Sequence, residues 1–462
     1  MKHRCLAAML LGLGIGSACG CGGATPPAEA PDGSGPPSPT TASRAKAREA
    51  FGEGLAALRA HDLANDWSDR ACADTAAAFL VAAGGQGAKG ALEARYDAGV
   101  AYQRCRNDAE AKRIFAALLA AEPKFHRARV QLALYQLKQG GERALEGALS
   151  EMQRAVRDAE FKDSEALVQL AILQMRRHSA RADEDGADDL ERARKNLQRA
   201  LAVDDGFMPA YNQLAIYYLE RARELAGHGR GPVAAASSQQ RGDTAALELA
   251  DLVVSQAIRR SAGYGPVYNT SGLVRAELGD LSGAAQAFAK ARELDPRFFE
   301  AHMNYAAVNL QFRGFRQAEA GYRAALGLRP NEYEAHLGLA LAIRAQIDDA
   351  NLAARLGEAL AELAAAERLD PTRPETFYNR AILVQEFKAR KVAAQGEQAQ
   401  NEVLREARGI FAEFLHKAEG RKELADAIRR AKERQKDIDD ILVFTEQGAA
   451  ERTPLEAAHP AS

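Results

Sequence analysis

Side chains equipped for chemistry are sparse in this 462-residue chain. His302 and His336 stand 34 residues apart, a pair of imidazoles that could share a proton or a metal. No HExxH, CxxC or GxSxG run accompanies them, so neither zinc hydrolysis nor a nucleophile elbow has its partner residues. Cys72 and Cys105 could close a disulfide in an oxidising compartment, or stay apart as two small buried hydrophobes. The acidic run RADEDGADDLE puts Asp183, Asp185 and Asp189 into the start of a calcium-type loop, but Arg194 stands at its twelfth position, where an acid belongs. A solvated turn between helices is the reading there. These groups suggest no metal, no cofactor and no enzyme. The remaining polar candidates are amides, with a few neighbours: Asn212, Gln213, Asn269, Thr270, Met303, Asn304, Tyr378 and Asn379. An amide donates and accepts at once, so what a set of them can do depends on how the fold lines them up.

The elements follow from a repeat. The stretches GPVYNTSGLVRAELGDLSGAAQAFAKARELDPRF (265–298) and FEAHMNYAAVNLQFRGFRQAEAGYRAALGLRPNE (299–332) align over 34 residues without a gap. They share a small residue at position 8 (Gly272, Ala306), alanine at 20 (Ala284, Ala318), a ring at 24 (Phe288, Tyr322), alanine at 27 (Ala291, Ala325) and proline at 32 (Pro296, Pro330). Small residues let two antiparallel helices approach closely, the ring fills the seam with the next hairpin, and the proline stops the second helix. His302 and His336 both fall at position 4, which makes them one packing position written twice.

Residues 92–125 fit the same register through Gly99, Tyr102, Ala111, Phe115 and Pro123, and 333–373 through Ala340, Ala359, Ala366 and Pro371. Weaker copies occupy 126–162, 163–207, 208–264 and 374–418, with inserted loops expected near 176–190, 223–246, 344–352 and 388–402. A degenerate first hairpin is expected at 44–91, a capping helix at 419–445 and a disordered tail at 446–462. The fold class is therefore all-α, about nine helical hairpins plus a cap, wound into a right-handed superhelix whose hairpins touch only their neighbours.

The amino terminus has a different character. MKHRCLAAMLLGLGIGSACGCGG places Lys2 and Arg4 before an apolar run and ends on small residues and cysteines, the layout of a signal peptide over 1–18. Residues 19–43, rich in Pro, Gly, Ser and Thr, read as a disordered tether. Lysine plus arginine number 61 against 63 acids, so no basic excess points to nucleic acid.

Period and residue types at positions 8, 20, 24, 27 and 32 resemble the tetratricopeptide repeat. The segment GSAC resembles a bacterial lipobox, which implies lipidation at Cys19, with Cys21 the alternative. Together these resemble the outer-membrane tetratricopeptide lipoproteins of Gram-negative envelopes. The phrases YNTSGLVRAELGD, EAHMNYAAVNLQFRGFRQAEAGYRAAL and LGLALAIR are most similar to those of adventurous gliding-motility complexes. The resemblance implies a non-catalytic, lipid-anchored scaffold facing the periplasm, bound to other envelope proteins and to no small-molecule substrate. An adaptor or activator of outer-membrane assembly or peptidoglycan enzymes is the alternative. It also implies a concave groove lined by positions 2, 5, 6, 9, 12 and 13 of each first helix. Those positions hold Asn212, Gln213, Asn269, Thr270, Met303, Asn304, Tyr378 and Asn379, a ladder that could pair with the peptide groups of an extended segment, or simply solvate an exposed face. Glu220, Glu277, Glu300, Glu334, Glu375 and Glu386 would bias that groove toward a basic or neutral segment.

Overall fold

The computed structural model describes residues 41–64, 66–85, 88–178, 187–228 and 233–457. Cys19, Cys21, residues 19–40 of the tether, Asp183 and Asp185 lie outside the described residues; residues 41–43, expected in the tether, are already helical. The described residues are helical with short connections and contain no strand. They belong to two compact units that divide between Pro232 and Val233.

The amino-terminal unit contains α1 (Thr41–Ala64), α2 (Asp69–Gly85), α3 (Ala88–Arg104), α4 (Asp108–Ala121), α5 (His126–Leu137), α6 (Gly141–Asp158), α7 (Ser164–Arg177), α8 (Asp189–Val203) and α9 (Met208–His228). Side-chain caps start several of them: Asn107 accepts from the Glu110 amide, Asp163 from Ala166 and Asp188 from Glu191. The expected first hairpin is present as α1 and α2. Cys72, in α2, is joined by a disulfide to Cys105, just past α3, with 5.9 Å between their Cα atoms. Asp189 corrects the reading of a solvated turn: it is fully buried and takes a bidentate pair from Arg177, at 2.5 and 2.7 Å. A buried carboxylate needs such a partner.

The carboxy-terminal unit contains α10 (Val233–Arg260), α11 (Gly265–Glu277), α12 (Leu281–Leu294), α13 (Phe299–Gln311), α14 (Phe315–Leu328), α15 (Tyr333–Arg344), α16 (Leu352–Leu369), α17 (Pro374–Ile382), a π-helical turn (Leu383–Lys388), α18 (Ala389–Val392), α19 (Glu397–Lys417) and α20 (Ala425–Ala457). Ala284, Ala291, Ala318, Ala325, Ala359 and Ala366, at positions 20 and 27, are all fully buried. The ring at position 24 does more than fill the seam with the next hairpin. Phe288 lies over Gly272 of its own hairpin, as Phe115 lies over Gly99, while Tyr322 covers Gly338 of the following one. His302 and His336 also tie successive repeats together. Each Nε2 bonds the carbonyl of the proline ending the preceding repeat, Pro296 at 2.8 Å and Pro330 at 2.9 Å.

Three loop expectations are corrected. The insertion at 223–246 is largely helix, since α9 runs to His228 and α10 begins at Val233. The excursion at 388–402 is a π turn, a short α turn, a 3-10 turn and the start of α19, with Gly396 at φ 108° supplying the bend that an L side chain resists. The tail at 446–462 is helical through Ala457 as part of α20. Residues 345–351 remain a loop, pinned by reciprocal bonds between Asp348 and Asn351.

Within each unit, first helices of successive hairpins lie side by side: α7 against α9, α11 against α13, α13 against α15. This inner row is where binding positions must be sought.

Candidate partner-binding surface

The amides expected to form the ladder are brought to the inner row, but most are turned inward. Asn304 Nδ2 donates to Asn269 Oδ1 at 2.9 Å, and the two residues are only 2% and 9% exposed. Thr270 is 2% exposed, and Met303, at 1%, belongs to the apolar core shared with Tyr322 and Leu339. Asn212 is buried too, whereas Gln213 is half-buried. Asn379 donates to the Glu375 carbonyl at 2.8 Å and accepts from Arg344 Nη1 at 2.9 Å. Tyr378 packs its ring against Phe414 in a tilted arrangement, 5.0 Å between centroids. The reading of an open ladder is therefore corrected for Asn269, Thr270, Met303 and Asn304, which are buried: an interior position satisfies a polar group by pairing it, as Asn269 and Asn304 pair with each other, while Met303 packs in the core. Asn304 Oδ1 takes no hydrogen bond among the described residues.

The acidic bias is corrected in the same unit. Glu300 is paired with Arg329 at 2.8 Å, Glu334 and Glu375 with Arg373, and Glu386 with Arg434 at 2.6 Å. Arg373 also stacks on the Tyr333 ring, 3.9 Å from its centroid. Arginines of the same repeat, the preceding repeat or the capping helix neutralise Glu300, Glu334, Glu375 and Glu386, acids that would have recruited a basic segment.

The amino-terminal unit offers what the ladder does not. On its inner row a shallow depression, with only about 10 Å³ of water-sized space, is lined by Tyr96, Arg127, Val130, Gln131, Asp163, Glu165 and Ala166. Arg127 lies over the Tyr96 ring at 4.2 Å and is bonded to Glu93 at 2.5 Å. Gln103 donates to Gln131, which donates to the Tyr96 hydroxyl, both at 3.0 Å. His126 meets Asp163 at 2.9 Å; burial alone would raise that carboxyl, but this bond and the Ala166 amide hold it below the usual aspartate value. Asp97 behaves oppositely. Burial pushes it up to about 6, with Arg127 opposing and Glu93 reinforcing the rise. Glu165 is raised as well, first by the protein around it and then by Asp163, although solvent still reaches it. On α9, Glu220 is pushed up to about 7 by the same cause.

Tyr96, Asp97, Gln103, Arg127 and Gln131 are the residues sequence reasoning missed. They occupy positions 5, 6, 12, 2 and 6 of the units starting at 92 and 126, so the position rule that chose the amides would have found them. Chemically the recess offers a ring face, an amide relay and an excess of carboxylate, with no group of three histidine, cysteine or acid residues able to hold a metal among the described residues.

The hairpins, their 34-residue period and the inner row define a helical-repeat architecture of the tetratricopeptide kind. No family model and no curated protein matches the chain. Among solved structures it is similar to a thermophilic tetratricopeptide protein of Thermus thermophilus (23% identity, 47% of this chain and 99% of that one, TM-score 0.39). It is also similar to PilF of Pseudomonas aeruginosa (18% identity, 54% and 94%, TM-score 0.39) and to human IFIT1 (15% identity, 76% and 72%, TM-score 0.45).

Proposed function

We propose that this chain is a non-catalytic interaction scaffold that holds an extended segment of a partner protein against the inner row of its amino-terminal unit. The observation that carries this reading is the recess of Tyr96, Arg127, Gln131 and Glu165, where a ring, an amide relay and under-neutralised carboxyls converge on one accessible wall. An extended peptide presents donors and acceptors at every residue, which the relay can match, and a basic side chain would answer the excess of acid. The resemblance of the amino terminus to a lipobox supports a lipid anchor at Cys19 or Cys21 in the outer membrane, facing the periplasm. The resemblance to gliding-motility lipoproteins supports partners within an envelope-spanning complex.

Affinity capture from detergent-solubilised membranes tests this. Asp97→Asn with Glu165→Gln keeps the shape of the wall and removes two of its carboxyl groups. The variant is expected to recover several-fold less of the envelope partners while circular dichroism stays helical; undiminished recovery would remove the recess from the account. Labelled palmitate followed in Cys19→Ser and Cys21→Ser identifies the anchored cysteine, and incorporation that survives the double replacement would overturn the anchor.

A further inference from the structure

The last helix of the carboxy-terminal unit changes character along its length. A solenoid ends on an element whose outer side meets water, so that side is expected to be polar. The first half of α20 obeys: Arg429, Arg430, Lys432, Glu433 and Lys436 are all exposed. The second half does not. Ile441 is 45% exposed and Phe444 77%, although Leu442 between them is buried.

The way α19 holds this helix explains the difference. Ile438 and Leu442 enter the apolar core with Phe411 and Phe414 of α19. Asn401 donates to the Thr445 hydroxyl at 2.9 Å, and Arg408 and Arg405 pair with Asp439 and Glu446 at 2.5 and 2.8 Å. Asp437, Asp440, Ile441 and Phe444 stand at i, i+3, i+4 and i+7, which gathers them on one helical face. All four are exposed, beside the seam that α19 covers. The two acids turned to α19 are paired, whereas Asp437 and Asp440 form no ion pair among the described residues. A single exposed phenylalanine would need no account; an apolar pair next to two unpaired acids on one face has the composition of a docking surface.

We infer that this face of α20 docks an amphipathic helix of a partner protein whose apolar side is flanked by lysine or arginine. Ile441 and Phe444 have the spacing at which one helix receives the side chains of another, and Asp437 and Asp440 meet the flanking bases. The charge argues against a second copy of this chain as the occupant. Residues 437–446 carry four acids and no base, so two such stretches would repel each other. The inference goes beyond the extended segment proposed for the amino-terminal unit and shares no residue with that site, so either surface can fail alone.

Fluorescence anisotropy with the full chain tests the face. The probe is a short fluorescein-labelled amphipathic helix of leucine and lysine; its controls replace leucine by alanine, or lysine by glutamate. The probe is expected to bind about tenfold or more tighter than either control at physiological salt. Ile441→Ser with Phe444→Ser should weaken that binding about tenfold or more, and Asp437→Asn with Asp440→Asn about threefold, the second loss shrinking as salt is raised. Because all four side chains are exposed, thermal melts of both variants should match that of the unmodified chain. Equal binding by the probe and its controls, or binding that the serine variant keeps, overturns the proposal. Sedimentation supplies the remaining outcome: a dimer of the unmodified chain that the serine variant loses would give the face to a second copy and overturn it as well.

Discussion

Two carboxyl groups of the amino-terminal unit hold their protons unusually well, Glu220 to about 7 and Asp97 to about 6. For an acid raised by burial the folded state binds the proton more tightly than the unfolded chain, so stability declines as pH climbs from the ordinary glutamate value through the folded one. Glu220→Gln should accordingly be neutral near pH 4 and stabilising by ~1 kcal/mol above pH 7, read by urea unfolding at both values. An unchanged difference between the two pH values would deny Glu220 its burial. At this scale the sequence was partly legible. His302 and His336 are packing residues, as their shared register position implied, though their bonds to Pro296 and Pro330 were not foreseen. The amides were placed on the right helices and given the wrong exposure. A residue's periodic position says which neighbour it faces; whether that neighbour leaves room for water depends on side chains 35 residues away, as between Asn269 and Asn304.

The hairpin is the element that the period encodes. Position 8 needs glycine where a ring covers it: a Cβ on Gly272 would stand 2.5 Å from the Phe288 ring, whereas one on Gly357, in α16, would meet nothing within 4 Å. Gly272→Ala is therefore expected to destabilise by about 1–3 kcal/mol through overpacking. Gly357→Ala should stabilise by about 0.5–1 kcal/mol by removing a flexible residue from a helix interior. Opposite signs in thermal melts of the two variants check the geometry, and equal signs would contradict it. Hairpins free of insertions were readable because their small, ring and proline positions recur at fixed intervals. Insertions were not. AGHGRGPVAAASSQQRGDT and EQGAAERTPLEA look like loops by their glycine, serine and charge content, yet α10 and α20 carry helix into them. Helix propagation from a well-packed segment overrides weak local preference, which composition does not register.

For the molecule as a whole, the architecture asks for partners. Each unit presents a row of first helices with its own chemistry: an acid-rich recess with a ring and an amide relay in one, an arginine-neutralised face in the other. Two faces of unlike charge suit a protein that holds different partner segments at different places, the role a scaffold requires. The described residues include no helix long and apolar enough to cross a membrane. The most direct test of the central claim is photo-crosslinking in the cell of origin, with a benzophenone residue placed in turn at Gln131, on the inner row, and at Arg113, whose side chain is 69% exposed on a second helix. The account predicts that Gln131 yields adducts with envelope proteins, each confined to one short extended peptide in the mass spectrum, and that Arg113 does not. Adducts from Arg113 alone, or none from Gln131, would contradict it.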